Sequence, residues 1–379
     1  MPAAAQTHRL APLGTLGQEA LFQRDMQQAA ALLKSHSYAQ AAEEYRSALV
    51  LDANSVEAHN GLGVALEGMG NHDEAFAQYQ ASLKLLEDAG RIRTLAGGDK
   101  PVRSVAFSPQ GTLLATAGDG GSVDLWEPLT GKLARTLAAG GKPLKAVAFS
   151  PDGKLLAAGT YGGQVILWNT ATWQKAASLS GHTRPVISLA FSPDGKMLAS
   201  GSKDGTVKLW DVGSQRLVVT LQGHLFGVNA VAFSPDGKTL ASASFDIRLW
   251  DVQTDQMRET MGRGSVTTDS LAFTRDGKFL VSGSEDCTLK FWDPATGDLK
   301  QTIRTGKLPV QSVAVSPDGK TVASAGWENT VRLWNFQTGD LEWVLPLHSA
   351  PVNCLAFSPD GKTLASASSD TTTKLWSVP

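Results

Sequence analysis

A tryptophan that closes a short apolar run recurs along most of this chain. It falls at Trp126, Trp168, Trp210, Trp250, Trp292, Trp334 and Trp376, with spacings of 42, 42, 40, 42, 42 and 42 residues. The best-formed copy is residues 191–212, FSPDGKMLASGSKDGTVKLWDV. Its three strand-length apolar runs are separated by Pro193-Asp194-Gly195 and Lys203-Asp204-Gly205. Those residues supply the fixed φ and the left-handed positions that tight turns need, so the copy reads as a three-stranded meander. One meander cannot bury both of its faces, and its repetition therefore dictates the fold.

Turn signals keep step with the tryptophans, as SPQG at 108, SPDG at 150, 192, 234, 316 and 358, and TRDG at 274. The connecting pieces, such as Arg216 to Gln222, are themselves strand-like, which makes four strands per copy. In six copies strict alternation in the first strand breaks once, as between Val186 and Leu189, and a β-bulge is expected there. Copy four reads SFDIRLW where copy three reads SKDGTVKLW. Strand side chains alternate with a period of two, so this even deletion tightens a hairpin without reversing any face.

Four-stranded units of this period build a propeller. With Trp-Asp at 210, 250 and 292, residues 91–379 resemble the WD-repeat family. The resemblance implies a mainly β fold, a seven-bladed propeller in which Arg91 to Ala96 pairs with Lys374 to Val378 and closes the ring. It also implies that His182, Ser200, Asp204 and Trp210 form a structural tetrad, repeated as His224, Ser242, Asp246 and Trp250 and as His348, Ser366, Asp370 and Trp376. A Ser, His and Asp set repeated around a ring is implausible as a catalytic centre. Copies one, two, five and six carry Gly98, Gly140, Gly264 and Gly306 in place of the His, and Gly120, Gly162 and Glu328 replace the hairpin Asp. Those blades are expected to be less rigid.

Between Gln18 and Asp88 the apolar spacing is helical, and Pro is absent. The segment repeats with an offset of 34: Tyr38 recurs as His72, Ala41 as Ala75, Tyr45 as Tyr79 and Leu49 as Leu83. Ser55 is a plausible N-cap, and Gly70 and Gly90 suit helix ends. This small all-α module, 18–90, resembles two tetratricopeptide repeats at about 22–55 and 56–89, with Gly63, Ala75 and Tyr79 fitting the family pattern. That family offers a peptide-binding groove. Its clamp for C-terminal carboxylates is not expected here, because Ala30 and Val64 occupy one of its positions. Residues 1–17 read as a flexible leader, without the charged and apolar regions of a signal peptide.

The formal charge of −2 gives no global attraction to nucleic acid, and no apolar run is long enough to span a membrane. Cys287 and Cys354 support neither a disulfide framework nor a metal site, and a reducing, cytoplasmic setting fits them. Gly-rich pieces such as AGDGGS at 117–122 lack phosphate-loop spacing, and His8, His36, His59 and His72 lack paired metal spacing. No cofactor and no catalytic residue is expected. The regular SPDGK copies resemble bacterial members of the family.

Function is sought where the copies differ. The position before the hairpin acid reads Asp119, Tyr161, Lys203, Phe245, Glu285, Trp327 and Ser369. By resemblance it lies on the top face beside the bulge residues, which include Arg103, Lys145 and Ile187. Tyr161, Phe245 and Trp327, with Arg103, Lys145, Lys203 and Ile187, are thus the expected contacts for protein or peptide partners. The expectation is a non-catalytic interaction scaffold. The alternatives are a recruiting or sensory region of a larger enzyme such as a kinase, and ligand binding in the central channel.

Overall fold

The computed structural model describes residues 15–378 apart from 263, 265 and 347, and the chain falls into two compact units divided between Asp88 and Ala89. Most of the expected leader thus lies outside the described residues. Residues 15–17 belong instead to the first helix.

The N-terminal unit is four helices, α1 (Thr15–Lys34), α2 (Tyr38–Leu51), α3 (Val56–Gly68) and α4 (His72–Asp88). Small residues set how closely they pack. A Cβ on Gly61 would sit 2.3 Å from the Tyr45 ring, and one on Gly63 would sit 2.4 Å from that of Tyr79. Both glycines lie on α3, which therefore receives Tyr45 from α2 and Tyr79 from α4 at close range. Ser55 caps α3, its Oγ accepting the Ala58 amide at 3.1 Å. Gly70, with φ of 81°, turns the chain into α4.

The second unit is a propeller of seven four-stranded antiparallel sheets. Six blades take their four strands in chain order. The seventh is closed by Ile92–Ala96, which pairs with the last strand, Thr372–Ser377, in the register Ile92 to Trp376 and Ala96 to Thr372. Inner strands pack on those of neighbouring blades. A bulge interrupts six of the seven inner strands, as between Val186 and Ser188 and between Val310 and Ser312. Blade 4 is the exception, its inner strand starting only at Ala230.

The turn between the first two strands is built from its own sequence. In blade 3, Ser192 Oγ donates to Asp194 at 2.6 Å and accepts the Met197 amide at 2.9 Å, while Gly195 adopts φ of 71°. The core lies between adjacent blades. Leu167 and Leu179 of blade 2 pack with Val186, Leu198 and Trp210 of blade 3. Leu95 and Leu375 of blade 7 meet Leu114 and Trp126 of blade 1 in the same way. Each blade thus buries the face that a lone meander leaves exposed.

Candidate functional site on the hairpin rim

Two loops of each blade meet on one rim: the hairpin between the second and third strands, and the connection entering the inner strand. In six blades the residue before the hairpin acid donates its amide to the carbonyl at that entrance, as from Tyr161 to Pro143 at 2.8 Å and from Trp327 to Pro309 at 3.2 Å. The bulge residue follows two positions later, as Lys145 after Pro143, so repeated backbone geometry gathers the variable side chains around the channel mouth.

Beneath this rim lie the tetrads. In blade 3, His182 Nδ1 is 2.8 Å from Asp204, its Nε2 is 2.8 Å from Ser200 Oγ, and Trp210 Nε1 donates to the same Oγ at 2.8 Å. A carboxylate can only accept, so Nδ1 carries the proton and Nε2 accepts from the serine. His224, Ser242, Asp246 and Trp250 repeat the arrangement at 2.7 to 2.8 Å, despite the shortened hairpin. In the third set His348 reaches Asp370 and Ser366, both at 2.8 Å, but the buried Trp376 Nε1 has no hydrogen-bond partner. That set is therefore a triad beside an orphaned indole.

These serines have the spacing of an activated nucleophile, yet they are fully buried and cannot be reached by a carbonyl. Burial lowers the His182 and His224 pKa despite the neighbouring carboxylates. Burial alone would raise the Asp204 pKa. Hydrogen bonds from Thr206, the Thr183 amide and His182 outweigh it and hold the carboxyl below the usual range.

Blade 6 ties its entry loop to the hairpin in another way. Glu328, in place of the hairpin Asp, accepts the Lys307 amide at 2.6 Å and the Leu308 amide at 3.3 Å, and pairs with Arg332. Its longer side chain reaches the loop directly, so the missing imidazole at Gly306 is bypassed. Blade 5 is different. Asp286 pairs with Lys290 and takes the Thr288 hydroxyl, all within its own hairpin and third strand.

The rim residues divide into engaged and outward-facing groups. Arg103 bonds Asp119 at 2.6 and 3.0 Å and extends to Asn353 and Ser369 at 3.4 and 3.3 Å. Lys145 reaches the same Asp119 at 2.8 Å and lies 5.8 Å from the Tyr161 ring centroid. Burial would raise the Asp119 pKa, but the two cations hold it down. Lys203 donates to Asn229 at 2.6 Å, and Ile187 is half-buried. Much of the expected cationic contact set thus stitches neighbouring blades together. Tyr161 and Trp327 point outward, 57% and 52% exposed.

Phe245 is half-buried under Phe226, ring centroids 4.5 Å apart. Between this pair and Trp327 sit two carboxylates of blade 5. Asp269 accepts from Asn229 at 3.0 Å, and its pKa is pushed up to about 7 by burial and the charge of Glu285, with Lys203 opposing.

Family models match both units. Residues 102–269 match the echinoderm microtubule-associated protein second beta-propeller, and 261–293, 297–335 and 339–377 match the WD domain, G-beta repeat. The chain is a WD-repeat propeller protein. Residues 31–70 match the TPR repeat, within the helical unit. No curated protein shows a significant match to the chain.

Reading this WD-repeat propeller by its hairpins alone missed three rim residues on the entry loops: Leu225 and Phe226, 89% and 57% exposed, and Leu308, 45% exposed. The signal was present in the copies. Where blade 3 reads His182-Thr183-Arg184 and blade 7 reads His348-Ser349-Ala350, blade 4 reads His224-Leu225-Phe226. Two large apolar residues on a loop otherwise polar or small mark a surface specific to that blade.

Proposed function

We propose that this protein is a non-catalytic interaction scaffold whose propeller binds a protein or peptide partner on the hairpin rim. The observation that carries this reading is the exposure of Tyr161 and Trp327 with Leu225, Phe226 and Leu308 on one rim, carried by four-stranded blades that repeat around the ring. Large apolar side chains held by rigid hairpins lose little entropy on binding and are the usual anchors of protein interfaces. The matches to WD and TPR repeats support the same reading, since both repeat types serve protein recognition. Among the described residues no helix is long and apolar enough to cross a membrane, and no cluster of His, Cys, Asp and Glu could hold a metal ion.

The test is affinity capture from the source cell with the wild type and with Tyr161→Ala/Phe245→Ala/Trp327→Ala. Loss of a specific partner from the variant, with its unfolding midpoint preserved, supports rim binding. An unchanged set of partners refutes it and moves attention to the helical groove.

A further inference from the structure

Blade 1 breaks the pattern of its relatives in charge as well as in shape. Five blades carry a cation two residues before the marker tryptophan, Lys208, Arg248, Lys290, Arg332 and Lys374. In three of them it pairs with the hairpin acid: Arg248 with Asp246 at 3.0 Å, Lys290 with Asp286, and Arg332 with Glu328. Blade 1 has Asp124 at this position and Gly120 in place of the acid, while Gly98 replaces the tetrad imidazole. Blade 2 lacks the imidazole and the acid too, but fills the position with buried Ile166. Among the described residues, blade 1 thus leaves an acid that faces a space with no cation of its own strand beside it.

That space is a cavity of about 220 Å³ lined by Asp124, Trp126, Thr116, Gly98, Gly120 and Thr373. A water needs roughly 10–15 Å³ measured this way, so there is room for several waters or the head of a small organic molecule. Asp124 Oδ1 takes the Thr136 hydroxyl at 2.6 Å. Its Oδ2 faces the loop, where a Cβ on Gly97 would sit 2.9 Å from it. Among the described residues no cation pairs with Asp124. Lys100 at the mouth is 3.7 Å from Asp99 instead. A second polar group also waits: Thr373, only 1% exposed and lining the cavity, has an Oγ1 without a hydrogen-bond partner. An enclosed hydroxyl without a partner in the cavity wall and a half-buried carboxylate without a cation call for a donor that is also positive.

We propose that the blade 1 crevice binds a small organic cation, an alkylammonium or guanidinium group, with Asp124 as its counter-ion and the Thr373 hydroxyl as an acceptor. The ligand supplies from outside the positive charge that other blades carry on their own third strand. This site is independent of the apolar rim anchors, so neither result decides the other. Burial raises the Asp124 pKa, and binding is to be measured where the carboxyl is ionised, at about pH 8.

The experiment follows the Trp126 indole N–H resonance of the intact chain during titration with methylguanidinium, and with methylurea as its uncharged counterpart. Methylguanidinium should shift that resonance with a dissociation constant on the order of millimolar, while methylurea should not. Asp124→Asn should weaken binding by about tenfold or more, and Thr373→Val by a few-fold. Gly98→His/Gly120→Asp, which installs the groups that blade 3 carries, should fill the crevice and abolish the shift. Tighter binding of putrescine would identify a free amine as the ligand, and tighter binding of acetyl-arginine-amide a partner's side chain; either supports the site. The proposal is overturned if methylguanidinium causes no shift up to about 50 mM, if methylurea shifts the resonance equally, or if the response survives both Asp124→Asn and the refilled crevice.

Discussion

Replacing Asp269 by Asn is expected to stabilise the propeller at pH 8 and to do much less at pH 4. The carboxyl sits half-buried at the channel mouth beside Glu285, and its folded-state pKa of about 7 compares with 3.8 for an unperturbed group. The folded pKa is the higher one, so the unfolded chain gives up its proton first as pH rises. Stability therefore falls across the interval from about pH 4 to pH 7. Converted at 1.36 kcal/mol per unit, the full difference is about 4 kcal/mol; solvent at the mouth reduces this to roughly 2 kcal/mol. The amide keeps an oxygen for the Asn229 bond, 3.0 Å in the wild type, and removes the charge. At about 2 °C per kcal/mol for a unit of this size, the unfolding temperature should rise by about 4 °C at pH 8. Thermal unfolding of both proteins at the two pH values tests this. An equal shift at both, or a fall at pH 8, would show that Asp269 is not the strained charge described.

The tetrads should respond to acid in the opposite direction. Burial depresses the His182 and His224 pKa below the unfolded value, so stability should decline as pH falls below about 6.5, and imidazole NMR titrations should give midpoints below that value. Ser200→Ala leaves the Trp210 indole N–H and an imidazole nitrogen without partners in a sealed site. A loss of about 2–4 kcal/mol in urea unfolding is expected. Glu328→Ala removes the tie to the Lys307 and Leu308 amides, so their hydrogen exchange should accelerate while blades 3 and 4 are unaffected, with a stability cost of about 1–3 kcal/mol. Protection unchanged at both amides would mean that the loop is held by something else.

The blades were legible in the sequence because every level repeated together. The strand-closing Trp, the Ser-Pro-Asp-Gly turn and the broken alternation before Leu189 each have a local physical cause, and seven copies average out the exceptions. The rim was legible only in part. Position in the repeat identified Tyr161 and Trp327 as rim residues, but Lys145 of blade 2 joins Arg103 on Asp119 of blade 1, a contact between blades that no single copy encodes. The contacts of Glu328 were out of reach for a related reason. The residue was compared by position with an aspartate, whereas its extra methylene lets it reach the loop amides without a histidine between them. The blade 1 crevice lay further out of reach, since it comes from Gly98, Gly120, Asp124 and Thr373 meeting in space.

Ring closure also carries a cost in time. The strand Ile92–Ala96 finds its partner in Thr372–Ser377, and 276 positions separate Ala96 from Thr372. At about 5–20 residues per second, a ribosome needs roughly 14 to 55 s to deliver that partner. Throughout this interval the first strand of the propeller is an open β-edge, the feature through which nascent chains join one another. Its sequence, IRTLA, offers one charge and one threonine among three apolar residues. The yield of folded protein should therefore depend on how crowded the nascent chains are during translation, even when the closed ring is stable.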